Sequence, residues 1–222
     1  MYFINPLFFE FEPVKIPSIA ENGSAKIELA RFIGIYEKEC LIKVLGACLY
    51  KEVIDSLELI PGSSSYSLKP TATIQIKNLI NGLEYDAPET DNSIIFFGLG
   101  CGCGCGSTNC KKRYWKGFVE KDQFLNAGSI GVSYRSFISD YIYYQHKLIN
   151  RTTTSGTGES VLSGENASTV FNESKRIDRW NEFVFKVIGR KNETSLYRFL
   201  KDNQKDYPTW EPNCQINFKT KY

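Results

Sequence analysis

The apolar positions along the chain change spacing several times, and each change marks an element. Residues 1–23 interleave Phe8, Phe9 and Phe11 with Pro6, Pro13 and Pro17, which forbids a continuous helix and predicts an extended arm in need of a surface to lie on. From Ser24, a plausible N-cap, Ile27, Ala30, Ile33 and Glu37 recur at helical spacing and predict a helix over 24–45. Gly46 interrupts it. The pattern resumes over 47–57 through Leu49, Val53 and Leu57, until Pro61 and Gly62 stop it. Leu29, Phe32, Ile35 and Leu41 lie off the main stripe, so this helix needs a second buried face.

Further along, 73–83 reads as a short helix closed at Asn81 and Gly82, while 93–97 and 113–119 read as two β runs forming a hairpin insertion over about 93–119. Helical spacing returns over 126–150 (Ile130, Tyr134, Phe137, Ile138, Tyr141, Leu148) and over 166–190 (Val170, Ile177, Trp180, Val184, Val187). A short helix over 194–202 precedes an irregular tail, 204–222, in which 215–219 reads as a possible strand. The fold class expected is mainly α. It comprises an N-terminal arm (1–23), one helical-bundle domain (24–203) carrying a β-hairpin insertion, and the C-terminal tail.

A chain of 222 residues is the size of one ordinary core. Its 27 Lys and Arg against 25 Asp and Glu give a formal charge of +2, too small for a non-specific nucleic-acid grip. No window approaches the roughly 18–20 apolar residues of a membrane span, and the first residues lack the pattern of a signal peptide. The expectation is synthesis in the cytoplasm with reduced thiols. Asn150, Asn166, Asn172 and Asn192 then match glycosylation triplets only by chance.

The most conspicuous chemistry is GLGCGCGCGSTNC at 98–110. In a strand Cys101, Cys103 and Cys105 would be about 6.6 Å apart per step, too far to converge on one zinc at about 2.3 Å. The glycines would permit a tighter chelate with Cys110 as fourth ligand, and redox chemistry is a further option. The favoured reading is a hairpin tip without metal. No cofactor is expected. The single histidine, His146, suits a helix C-terminus as a cation and not a catalytic base, Trp180 reads as a core aromatic, and no phosphate-binding loop is present. These features predict no enzyme. The polar segment Thr152, Thr153, Thr154, Ser155, Gly156, Thr157, Gly158 and Glu159 is the best candidate for partner contact, together with Phe8, Phe9 and Phe11 of the arm.

The order of YEKECLIKVLG (36–46), LY (49–50), NGLEY (81–85), WKG (115–117), YIYY (141–144), TTSGTGE (153–159), ENA (165–167) and WNEF (180–183) resembles a family of proteins from phages of Bacteroides-type bacteria. That family is similar to head-to-tail connector proteins of the adaptor or ring type. The likeness runs from Ser24 to the C-terminus, and the cysteine-rich tip departs from it. It implies a virion protein forming a homo-oligomeric ring, usually a dodecamer, beneath the portal. Its partners would be the portal and adjacent connector or tail proteins, with double-stranded DNA passing through unbound. The rivals are a cytosolic metal-binding or redox protein using Cys101 to Cys110, and a soluble regulatory module.

Overall fold

The computed structural model describes residues 2–10, 13–16, 23–62, 66–86, 112–126, 129–149, 153–155, 158–160, 173–189 and 194–211. The chain is mainly α. Helix α1 (Gly23–Asp55) is followed by a small ribbon, β1 (Leu57–Leu59) with β2 (Tyr66–Leu68), and by α2 (Ile74–Asn81). Strand β3 (Leu83–Asp86) pairs antiparallel with β4 (Lys112–Trp115), and β5 (Glu120–Asn126) with β6 (Ser129–Arg135). Then come α3 (Phe137–Ile149), the ribbon β7 (Thr153–Ser155) with β8 (Gly158–Ser160), α4 (Glu173–Ile188) and α5 (Leu196–Asp202). No helix among the described residues is long and apolar enough to cross a membrane.

Helix α3 lies between α1 and α4, and the core forms where they meet. Leu29, Ile33, Leu41, Leu45, Leu49 and Val53 of α1 are buried with Ile138, Tyr141 and Ile142 of α3 and Phe183, Val184 and Val187 of α4. Each such side chain withdrawn from water contributes about 1.5–3 kcal/mol. The predicted break in α1 is present: Gly46 adopts φ 77°, ψ 165°, outside helical space. The C-terminal segment packs into that break. A Cβ at position 46 would meet the Glu211 carbonyl oxygen at 3.2 Å, and Trp210 Nε1 donates to the Val44 carbonyl at 3.5 Å. The tail is therefore part of the core as far as Trp210, with Tyr207 also buried and donating to the Gln75 carbonyl. Residues 215–219 lie outside the described residues.

The N-terminal arm departs from expectation. It turns through a short 3-10 helix, Pro6–Phe9, which Asn5 caps by accepting the Leu7 N–H at 2.9 Å. Phe8 and Phe9, expected to be offered to a partner, are buried at 6% and 0% exposure with Ile4, Val14 and Ile16. The reason is Glu37, a fully buried carboxylate on α1 that accepts the backbone N–H groups of Tyr2, Phe3 and Ile4. A charge buried there needs donors, and the arm's extended backbone supplies them. The arm packs on α1 at Glu37; of the residues expected to form a second buried face, Leu29 and Leu41 are buried within this chain while Ile35 stays exposed, as does Ile27. Phe11 lies outside the described residues.

Two strand assignments are also corrected. Strand β4 pairs with β3, a segment not recognised as a strand, in the register Leu83↔Trp115 to Asp86↔Lys112. Residues 87–111, including 93–97 and Cys101, Cys103, Cys105 and Cys110, lie outside the described residues. The helix expected from 126 begins only at Phe137, because 120–135 form the β5–β6 ribbon. Close packing fixes where these ribbons meet α2. Gly117 (φ 81°) lies against the backbone at Ile80 and Asn81, leaving no room for a Cβ, and Phe118 N–H donates to the Ile80 carbonyl at 2.9 Å. Ser136 then joins ribbon to helix. Its hydroxyl donates to the Phe118 carbonyl at 2.6 Å and accepts the Ile138 N–H at 3.1 Å, capping α3.

Candidate functional site

A cleft of about 440 Å³ opens where the first turn of α3, the last turns of α4, the chain after β4 and the end of β6 converge. Its charged floor comes from two antiparallel helices. Asp140 on α3 is 2% exposed; its Oδ2 accepts Lys186 Nζ at 2.6 Å and its Oδ1 accepts Arg179 Nη1 at 3.3 Å. Arg179 and Lys186 are seven residues apart on α4, two turns along one face, which is why one carboxylate reaches both. Burial pushes the Asp140 carboxyl up, the two cations pull it back, and it stays above the ordinary carboxylate value. Arg135, Glu182 and Phe185 complete the lining beside Trp115 and Tyr134, while Lys116 and Glu120 neutralise each other at 2.6 Å.

Chemically, this arrangement is a preorganised set of donors. An ammonium carries three N–H groups and a guanidinium five, and Asp140 uses one of each in the bonds above. Arg179 Nε is buried with no hydrogen-bond partner among the described residues. A buried donor left unmade costs about 1–3 kcal/mol.

Several other polar groups, buried or half-buried, are occupied in holding the fold. Arg113 forms an ion pair with Asp202, which also accepts the Tyr85 hydroxyl at 3.0 Å, joining β3 and β4 to α5. Glu39, Lys43 and Tyr141 form a closed triad between α1 and α3. Burial raises the Glu39 carboxyl, but the bonds from Lys43 and Tyr141 outweigh it and leave it below the usual value; burial and the bond to Glu39 push the Tyr141 hydroxyl well up. Cys40 is fully buried, and burial pushes its thiol well up, which makes it a packing residue and not a nucleophile.

His146 is not the helix-terminal cation expected. It lies edge-on to Phe32 with ring centroids 5.4 Å apart, and burial followed by the charge of Lys147 depresses its pKa to about 4, so the ring is neutral. Trp180, expected as a core aromatic, is half-buried and packs against the core beside Tyr141, Tyr144 and Phe183. The predicted contact segment is a ribbon, with Thr153↔Ser160, Thr154↔Glu159 and Ser155↔Gly158 paired; Thr152, Gly156 and Thr157 lie outside the described residues. Neither His146 nor Trp180 is among the described residues that line the cleft. Among the described residues no group of three or more His, Cys, Asp or Glu side chains could hold a metal ion.

Asp140, Arg179 and Lys186 were missed in the sequence, although a signal existed. Phe137, Asp140, Tyr141 and Tyr144 follow the spacing of a buried helical face, and so do Arg179, Phe183, Lys186 and Val187. An acid on one apolar stripe and two bases on another are candidates for pairing. No protein-family model matches this chain, and neither a curated protein nor a solved structure shows significant similarity to it.

Proposed function

We propose that this chain is a structural subunit of a phage head-to-tail connector, a helical-bundle protomer that joins copies of itself in a ring beneath the portal. The observation that carries this reading is the pair of two-stranded ribbons, β5–β6 and β7–β8, in a chain with a helical core. Among the described residues each is a sheet of two strands with no third strand at either edge. An isolated two-stranded ribbon is marginal in water, and its open edges are templates for further pairing. In a ring of identical subunits, a neighbour's backbone completes such edges at every interface by the same contact.

The order of sequence motifs supports the phage setting, and the charge of +2 suits a conduit. A lumen dense in Lys and Arg would hold the genome through counterion release, whereas a near-neutral one lets DNA pass. The ring is a dodecamer in this reading, its role is structural and not enzymatic, and its location is the virion after synthesis in the host cytoplasm. The partner contacts are the β7–β8 positions from Thr153 to Glu159 and the edges of β5–β6, with Phe8 and Phe9 withdrawn from that set by burial.

Light scattering of the purified chain, alone and mixed with its portal protein, tests the reading. A defined oligomer or a stable portal complex supports it, and a monomer that ignores the portal contradicts it. Metal analysis of the same sample addresses the rival reading built on Cys101, Cys103, Cys105 and Cys110.

A further inference from the structure

The N-terminal arm is fastened to α1 at its first residues and forms part of the cleft with its last. Tyr2, Phe3 and Ile4 donate their N–H groups to Glu37 at 2.7, 2.7 and 2.9 Å. Pro13 and Val14 line the cleft together with Phe118 and Tyr134. The arm touches both of those aromatic side chains. Phe3 meets Phe118 edge-on with ring centroids 5.2 Å apart, and Phe8 meets Tyr134 at 5.2 Å. The two ends of the arm are tied to each other, since Ile16 donates its N–H to the Phe9 carbonyl at 2.8 Å and Asn5 caps the Pro6–Phe9 turn. It therefore holds a shape of its own.

Burial alone leaves this wall finely balanced. The arm buries Ile4, Phe8, Phe9, Val14 and Ile16, but ordering its backbone opposes that gain with an entropy cost of the same order. The Lys26–Glu10 pair adds little, because its side chains are 45% and 26% exposed. Charge-assisted bonds from three N–H groups to one buried carboxylate are stronger, so Glu37 decides whether the arm stays down.

We propose that residues 2–10 and 13–16 are a movable wall of the cleft, latched at Glu37. Latched, the arm covers Phe118, which is 1% exposed, and bounds the cleft at about 440 Å³. Unlatched, water takes over the three bonds to Glu37, Phe118 is uncovered and the cleft widens, while α1, α3 and α4 stay packed. Glu37 is the positioning residue of this device. It acts within one chain and is independent of the connector reading.

The test is the access of a soluble nitroxide to Phe118 in the full chain. A fluorine on ring carbon C4 of Phe118 reports that access by NMR relaxation. The same label on Phe199 is the control, a residue equally buried but packed among Tyr85, Trp115 and Tyr207. Glu37→Gln should raise the nitroxide effect at Phe118 about threefold or more, as loss of the charge-assisted bonds shifts the population toward the open arm, and leave Phe199 unchanged. Glu37→Asp keeps the charge and should fall between the parent and Glu37→Gln. An unchanged Phe118 in folded Glu37→Gln overturns the proposal. So does an equal rise at Phe118 and Phe199, which would mean general loosening. If Glu37→Gln does not fold, Glu37→Asp is read in its place; if neither folds, Glu37 is a fixed part of the core and not a latch, which also overturns it.

Discussion

The Oε1 atom of Glu37 accepts the backbone N–H of Phe3 at 2.7 Å, and this bond, with its neighbours from Tyr2 and Ile4, decides where the N-terminal arm lies. Glu37 is fully buried on α1, and burial pushes its carboxyl above the usual value even though the three N–H groups pull the other way. Removing the charge while keeping the shape should expose that dependence. Glu37→Gln leaves a single acceptor oxygen for three donors, and the expected loss is about 2–3 kcal/mol of unfolding free energy at neutral pH. Limited proteolysis should then cut within residues 1–16 of the variant but not of the parent. A protected arm in the variant would show that Phe8, Phe9 and Ile16 hold it unaided.

Backbone proximity makes Gly117 the less replaceable of two glycines. Gly46→Ala places a Cβ 3.2 Å from the Glu211 carbonyl in a left-handed conformation and should cost about 1–2 kcal/mol. Gly117→Ala drives a Cβ into the backbone at Ile80 and Asn81, which cannot yield as a flexible side chain does, so about 3 kcal/mol or more is expected. Denaturant melts of both variants check the order. Equal losses would contradict the close crossing between α2 and the chain after β4.

The neutral state of His146 makes stability depend on pH in a defined window. Its folded pKa is depressed from 6.5 to about 4, so the unfolded chain binds the proton first as pH falls. The stabilisation is complete above pH 6.5 and is lost as pH drops through about 4, amounting to at most about 3 kcal/mol. Replacing His146 by Phe should flatten that part of the stability profile. Identical profiles for parent and variant between these values would mean that the ring is protonated without penalty.

What the sequence conveyed divides along physical lines. The break at Gly46 and the short C-terminal helix were legible because local chemistry sets them: glycine at positive φ, and Ser195 accepting the Arg198 N–H as a cap; the stop expected at Pro61 comes earlier, at Asp55, because Leu57 is in strand β1 and not in the helix. Strand β6 was read as the start of a helix because Ile130 and Tyr134 satisfy a spacing of four. Val132 between them satisfies a spacing of two, and Gly131 with the β-branched residues should have decided for strand. The arm misled for another reason. Its prolines correctly excluded a regular helix, but its resting place depended on a carboxylate about 34 positions away, which no local pattern encodes. The cleft has the same origin: Asp140 and Lys186 are 46 residues apart and meet only because α3 and α4 pack antiparallel.

The edge of β6 provides a selective way to disturb assembly. Val132 is 36% exposed, and a lysine there opposes edge pairing by charge and hydration. Val132→Lys should change the unfolding free energy of the subunit by no more than about 1 kcal/mol while reducing self-association. A variant that melts far below the parent would show instead that Val132 packs within the subunit.

The most direct test of the account is the mass of the intact particle formed by the unmodified chain in the presence of portal protein, read by native mass spectrometry beside the Val132→Lys variant. The account predicts a closed ring of identical subunits, twelve if it follows the connector resemblance, on the portal for the parent and a shift to free subunits for the variant. A parent chain that remains monomeric and unattached to the portal would contradict it.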